Sequence, residues 1–353
     1  MKVNKYKQGN FCFDTGADRF IIDSTFYKKQ QMTFNNYSEN QTKGIGNVIV
    51  RTVQVQDTIH FSVNNQSLFS HQNLIHNLKK SLGKNIDGIF GFASLRNIPF
   101  KVDYISKKII LNPKIDNTYK QINIKFDGNS MYLPVKLTLV NGASLKGDFV
   151  IDTGSRESSL TSEFAYNEDI INNKKSNYKN NGGIGGIHSG FSFFPFQLQI
   201  DNFKLTDHKI HVSKDSIGAL SKNAKDIGII GNDILDDFDI IFHPTRYKIW
   251  VRPNKNFNKP SDNLFKPFIL IETENKYDGW LVGSIYEESD AYHKGLRHGD
   301  EIIEVNNKSV KRLNLEKFNQ KLKPNQRKKL KVKRGDGYIE IDTYINVFLK
   351  KND

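Results

Sequence analysis

Phe149-Val150-Ile151-Asp152-Thr153-Gly154-Ser155 decides how this chain is read, because the chain carries the pattern twice. The echo is Phe11-Cys12-Phe13-Asp14-Thr15-Gly16-Ala17, near the N-terminus. Each copy sets three apolar or β-prone residues before Asp-Thr-Gly and a small residue after it. A buried strand that delivers a carboxylate into a tight, glycine-assisted turn has this pattern. One Asp-Thr-Gly is weak evidence, since Asp-x-Gly marks many ordinary turns. Two copies in matching contexts, each followed at a similar distance by a second shared motif, are strong.

That second motif is Ile86-Asp87-Gly88-Ile89-Phe90-Gly91, echoed by Asp226-Ile227-Gly228-Ile229-Ile230-Gly231. Asp14 to Asp152 is a step of 138 residues, and Gly88 to Gly228 a step of 140. A third landmark, Lys107-Lys108-Ile109-Ile110-Leu111 against Tyr247-Lys248-Ile249-Trp250-Val251, keeps the step of 140. The register indicates a duplicated unit. Within each copy, short β-rich runs alternate with Asn, Gly, Asp and Ser clusters, so each is expected to be an all-β lobe. The copies differ at the front. Met131 to Val140, an Asn141-Gly142 turn and the strand into Asp152 predict a hairpin, whereas Val3-Asn4-Lys5 leaves no room for the equivalent strand before Asp14. Either the first lobe manages with a shortened edge, or the given chain lacks some N-terminal sequence.

Lobe boundaries are expected at 1–115 and 116–255, with a polar linker from Asn254 to Asn263 and a different module over 262–353. In that module Trp280 to Ile285 predicts a strand, Glu288 to Leu296 a turn and short helix, and Gly299 to Asn307 a strand into a tight turn. Leu315, Phe318 and Leu322 then mark an amphipathic helix.

At 353 residues the chain suits two or three domains, and 37% hydrophobic with 25% charged residues indicates globular folding. Its most apolar stretch, Ile227 to Phe242, is broken by Asp233, Asp236, Asp237 and Asp239, so no transmembrane helix is expected. Met1-Lys2-Val3-Asn4-Lys5 has no apolar core behind its lysines and is not a signal peptide; the compartment stays open, an extracytoplasmic one included. The net charge of +14 is spread through loops, with no stacking aromatics beside it, and nucleic acid is not an expected partner. The one basic run, Arg327 to Arg334, alternates as a strand with a solvated basic face. Cys12 cannot form an internal disulfide and is expected to pack as a small apolar residue.

Two carboxylates held about 3 Å apart cannot both ionise, so they share a proton over a broad pH range. Such a pair can activate water: the ionised member takes a proton while the protonated one hydrogen-bonds the substrate carbonyl. No metal or cofactor is called for. Gly16 and Gly154 let each turn tighten, and Thr15 and Thr153 are placed to fix it. On these residues, over about 1–253, the chain resembles the retropepsin-like aspartic peptidases, in a single-chain form with both halves fused. The resemblance implies two acid-protease β lobes in tandem and an Asp14/Asp152 dyad. It also implies ψ-loops at Ile89-Phe90-Gly91 and Ile229-Ile230-Gly231, and flaps at Gly44-Ile45-Gly46 and Gly182-Gly183-Ile184-Gly185-Gly186. The implied substrate is an extended polypeptide. His188, beside the second flap, is expected at the surface.

Residues Gly295-Leu296-Arg297-His298-Gly299-Asp300-Glu301-Ile302 resemble the core of a PDZ domain, which binds a peptide or protein partner by strand addition. Its carboxylate-holding loop would fall at Lys266-Pro267-Phe268-Ile269, where proline replaces a donor, so capture of a terminal carboxylate is expected to be weak. The rival reading is a catalytically silent peptide-binding scaffold on a protease fold. Intact Asp-Thr-Gly in both halves argues against it.

Overall fold

The computed structural model describes the chain apart from residues 5, 7, 64, 65, 128, 129, 182, 223, 225, 260–265, 273–278 and 347–353. The fold is mainly β. The two copies of the repeat build the same local topology. Phe11–Asp14 runs parallel to Gly88–Gly91, pairing Phe11 with Gly88 and Asp14 with Gly91. Ser144–Ile151 runs parallel to Gly228–Ile230, pairing Phe149 with Gly228 and Ile151 with Ile230. In each half a further strand lies antiparallel on the glycine motif, Ile21 opposite Ile89 and Ser159 opposite Ile229. Beyond it come a parallel strand and a long hairpin: Tyr37–Thr42 with Val50–Val55 in the first half, Lys174–Asn181 with Ile187–Phe193 in the second.

The halves are joined by a five-stranded antiparallel sheet that takes strands from both. Phe100–Asp103 and Lys108–Leu111 come from the first copy; Phe238–His243, Lys248–Pro253 and Lys120–Asn123 come from the second. Across the join Phe100 pairs with Phe242, and their rings stack at 4.7 Å between centroids. Phe13, one residue before Asp14, packs edge-on against Phe100 at 5.7 Å and at a tilt against Phe90 at 5.3 Å. An aromatic column therefore runs from the Asp14 strand into the shared sheet, and Phe100 and Phe242 are fully buried in the common apolar core. Burial of rings this large is the dominant favourable term for such a join.

At the N-terminus no hairpin strand pairs with the Asp14 strand among the described residues, and the edge is short: a two-residue strand, Lys2–Val3, pairs with Ile59–Val63 instead. Val3 is fully buried there, so this short edge is anchored by one side chain. The hairpin predicted at Asn141-Gly142 is present: Met131–Thr138 pairs with Ser144–Ile151, and Gly142 turns at φ +87.

The C-terminal module has its own apolar core, including Trp280, Val282, Leu296, Ile302 and Val332. The expected start and end of this module, at 262 and 353, lie outside the described residues. Its basic strand Arg327–Arg334 buries Leu330 and Val332, and its two terminal arginines face carboxylates: Arg334 Nε lies 2.7 Å from Asp300 Oδ1, Arg327 Nε 2.8 Å from Asp342 Oδ1. Among the described residues no helix is long and apolar enough to cross a membrane.

If the stacked phenylalanines hold the halves together, Phe242→Ala should destabilise the chain by about 3–5 kcal/mol, read from urea unfolding.

Candidate active site

Each Asp-Thr-Gly turn is built the same way. Asp14 Oδ1 accepts the backbone N–H groups of Gly16 at 2.8 Å and Ala17 at 3.0 Å. Asp152 Oδ1 accepts those of Gly154 at 2.8 Å and Ser155 at 2.9 Å. The two turns are then interlocked. Thr15 N–H donates to Thr153 Oγ1 at 3.0 Å, and Thr153 N–H donates to Thr15 Oγ1 at 3.0 Å. The hydroxyls donate onward across the join, Thr15 Oγ1 to the Ile151 carbonyl at 2.7 Å and Thr153 Oγ1 to the Phe13 carbonyl at 3.1 Å. Each of these two hydroxyls thus donates once and accepts once, both times across the join.

This interlock brings the carboxyl groups of Asp14 and Asp152 within hydrogen-bonding reach of each other. The glycines make the approach possible. A Cβ on Gly16 would lie 2.6 Å from Asp152 Cγ, and one on Gly154 only 2.3 Å from Asp14 Cγ. A side chain at either position would have to displace the opposite carboxyl. Burial drives Asp14 well above the ordinary carboxylate range, helped by the charge of Asp152 and the hydrogen bond between them. Burial also raises Asp152, against donors from Asp14, Ser155 and Gly154. The pair titrates as a unit, and its proton belongs to both carboxyls. Beside it Cys12 is pushed up to about 12, by burial and then by the two aspartates, so it stays a thiol.

The glycine motifs lie directly under the turns. Gly91 would bring a Cβ to 2.3 Å from the Arg19 carbonyl, and Asp152 N–H donates to the Ile230 carbonyl at 3.0 Å. Ile89, Phe90, Ile229 and Ile230 are buried beside Gly91 and Gly231. Asn232, which the sequence reading passed over, follows this motif directly. Its side-chain amide donates to the Thr153 carbonyl at 2.7 Å and the Ser155 carbonyl at 2.8 Å, and its Oδ1 accepts from Tyr104 OH of the first half at 2.8 Å.

The glycine-rich segments sit at the tips of the two long hairpins, and the tips touch. A Cβ on Gly46, at φ +114, would lie 2.3 Å from the Gly185 carbonyl oxygen; one on Gly44 would lie 2.6 Å from Ile184 Cγ1. Val48 N–H donates to the Gly185 carbonyl at 3.1 Å. Ile45 faces Gly183 and Gly185, while Gly186 turns at φ +85; Gly182 lies outside the described residues. Ile184 packs onto the apolar cluster of Ile21, Leu74, Leu78 and Ile89 in the first half. The first tip is also latched to the second half: Asp215 accepts from Gly46 N–H at 3.2 Å and from Asn47 Nδ2 at 2.9 Å. No local pattern marked Asp215, whose role exists only in the folded contact.

His188 departs from expectation. It is buried, not exposed, with its ring edge-on to Tyr178 at 5.5 Å, because the C-terminal module covers that face of the hairpin. Its pKa falls to about 4, chiefly through burial. In the module itself Pro267 offers no N–H, and its carbonyl accepts Tyr286 N–H at 3.0 Å. Among the described residues no three His, Cys, Asp or Glu side chains gather as a metal site.

Comparison with known proteins supplies two likenesses. Residues 267–345 match the family model of the PDZ domain. A solved structure, the crystal structure of a retropepsin-like aspartic protease from Rickettsia conorii, is 15% identical and covers 39% of this chain and 95% of its own, at a TM-score of 0.26. No curated protein matches the chain.

The raised carboxyls fix a sign for the pH dependence of stability. The unfolded chain ionises both groups in the ordinary carboxylate range, while the folded pair still holds its proton. Stability contributed by the pair is therefore present at low pH and falls as pH rises through the raised folded value. Asp14→Asn should flatten that fall, measured by thermal unfolding from acid to neutral pH. The chain is mainly β and carries a PDZ domain at 267–345, preceded by two interlocked Asp-Thr-Gly turns.

Proposed function

We propose that this chain is an aspartic endopeptidase, with Asp14 and Asp152 as its catalytic dyad. One observation carries the reading: two carboxyls from two copies of one motif sit within hydrogen-bonding reach, and burial raises both. In such a pair the ionised carboxylate removes a proton from water as the water oxygen adds to the scissile carbonyl carbon. The protonated carboxyl hydrogen-bonds, then protonates, the carbonyl oxygen. Collapse of the tetrahedral diol expels the amine, which leaves with a proton from the dyad, and the acid is released with its new oxygen from water. Protein and substrate form no covalent bond in this scheme.

The remaining assignments follow in role. Thr15, Gly16, Thr153 and Gly154 shape the catalytic turns; Ile89-Phe90-Gly91 and Ile229-Ile230-Gly231 are the ψ-loops beneath them. Gly44-Ile45-Gly46 and Gly183 to Gly186 are flap tips over the cleft, on lobes spanning about 1–115 and 116–255. The apolar cluster that Ile184 covers beside the first turn favours substrates with apolar residues near the scissile bond. The PDZ domain adds binding of a peptide or protein partner. A silent scaffold would have no use for a dyad whose buried charge costs stability at neutral pH.

Asp14→Asn and Asp152→Asn should each reduce peptide cleavage on the order of 10⁴-fold, with the double variant little worse, because the two act as one unit. A statine-type transition-state analogue should inhibit. Cleavage surviving in either single variant would show that another group is the catalyst.

A further inference from the structure

Tyr286 belongs to the PDZ domain, yet its hydroxyl lies among buried charges of the second protease half. It donates to Glu157 Oε1 at 3.0 Å and contacts the Lys209 ammonium, which also sits 4.4 Å from the centre of its ring. His211 Nε2 lies 3.1 Å from Glu157 Oε2, and Lys209 Nζ 3.3 Å from Glu157 Oε1. The ring of Tyr178 closes the group, edge-on to His211 at 4.6 Å. Burial would raise Glu157, but the charges of His211 and Lys209, and hydrogen bonds from His211 and Tyr286, hold it well below the usual range.

Glu157 is also wired to the dyad. Its carbonyl accepts Ser155 Oγ at 2.7 Å, and Ser155 N–H is one of the two donors to Asp152 Oδ1. The path from the PDZ domain to the reacting carboxylate is thus Tyr286, Glu157, Ser155, Asp152.

The strand that carries Tyr286 is shared. Along one edge Trp280–Tyr286 pairs with Phe268–Glu272. On the other, Trp280 and Leu281 pair with Ile302 and Glu301 of the PDZ domain, while Ser284, Ile285 and Tyr286 pair with Asn180, Lys179 and Tyr178 of the second hairpin. Glu288 extends the join, its carboxylate accepting from Asn177 N–H at 3.1 Å and from the Ser176 hydroxyl.

The first half supplies a control inside the same chain. At the repeat position of Glu157 it has Arg19, paired with its neighbour Asp18. Leu74 pairs with Ile21 as His211 pairs with Ser159, and Leu74 lies in an apolar cluster. The fold of one half therefore does not require a charged cluster here. Buried ions are costly unless fully partnered, and this one occurs where the PDZ strand arrives with the third partner.

We propose that the PDZ domain is a fixed component of the catalytic site, with Tyr286 as a positioning residue. Through Glu157 it holds the Asp152 turn, and through its strand it holds the second flap. The catalytic part rests on the aspartic peptidase reading; the structural part does not. The test is Tyr286→Phe in the full chain, which keeps the ring and removes one hydroxyl. Amide hydrogen exchange should quicken about tenfold or more across 152–158 and 174–181, with the PDZ strands 301–305 and 327–334 unchanged. On a peptide substrate kcat should fall about tenfold or more while KM stays within about twofold. Unchanged exchange in both segments would overturn the proposal. A rise everywhere, PDZ strands included, would mark general unfolding and pass the decision to Glu157→Gln, which must loosen 152–158 locally or the proposal fails. A wild-type chain that cleaves no peptide, or cleavage that survives Asp152→Asn, would instead sink the peptidase reading, and the exchange pattern alone would then decide.

Discussion

Two carboxyls buried against each other repel as soon as both ionise, and this fold is organised to hold them together in spite of that. Each carboxyl is fixed by two N–H donors of its own turn, while the turns are fixed to each other by Thr15 and Thr153. Neither half can complete this arrangement alone. The hydroxyl of Thr15 needs the Ile151 carbonyl, and that of Thr153 needs the Phe13 carbonyl. The shared five-stranded sheet and the Phe13, Phe100 and Phe242 column hold the halves in the one relative position that keeps these bonds short. A shift of an ångström would part the carboxyls before it disturbed either core.

Much of this was legible because it is written locally and twice. The steps of 138 and 140 residues predict that each Asp strand meets its glycine motif in equal register, and Phe11 opposite Gly88 matches Phe149 opposite Gly228. Gly16 and Gly154 were marked as turn formers, although their tighter constraint is the opposite aspartate, which sequence spacing cannot show. Contacts between distant segments left no local signature. Asn232, Asp215 and Tyr286 act through partners 77, 169 and 129 residues away, so no periodicity points to them. His188 was misplaced for the same reason: a polar residue near a hairpin tip reads as exposed until another module is laid over it.

The two hairpins differ in what holds them from outside the repeat. The first hairpin tip is held from the second half by Asp215, through bonds that a modest movement can break. The outer strand of the second hairpin is hydrogen-bonded into the PDZ domain. To lift that hairpin, the three-residue ladder must part or the PDZ domain must travel with it. Two hairpins of similar local design thus face different energetic barriers to opening, set by what each has acquired outside the repeat.

The central claim is that Asp14 and Asp152 share one proton. Carbon-13 labelling of the aspartate carboxyls, with resonances assigned by Asp14→Asn and Asp152→Asn, reads this directly in a pH titration. One carboxyl of the pair is expected to stay protonated well above the ordinary carboxylate range, and Asp152→Asn is expected to lower the titration of Asp14, which loses a neighbouring charge, while burial keeps it above that range. Two independent titrations near the usual aspartate value, unaffected by substitution of the partner, would contradict it.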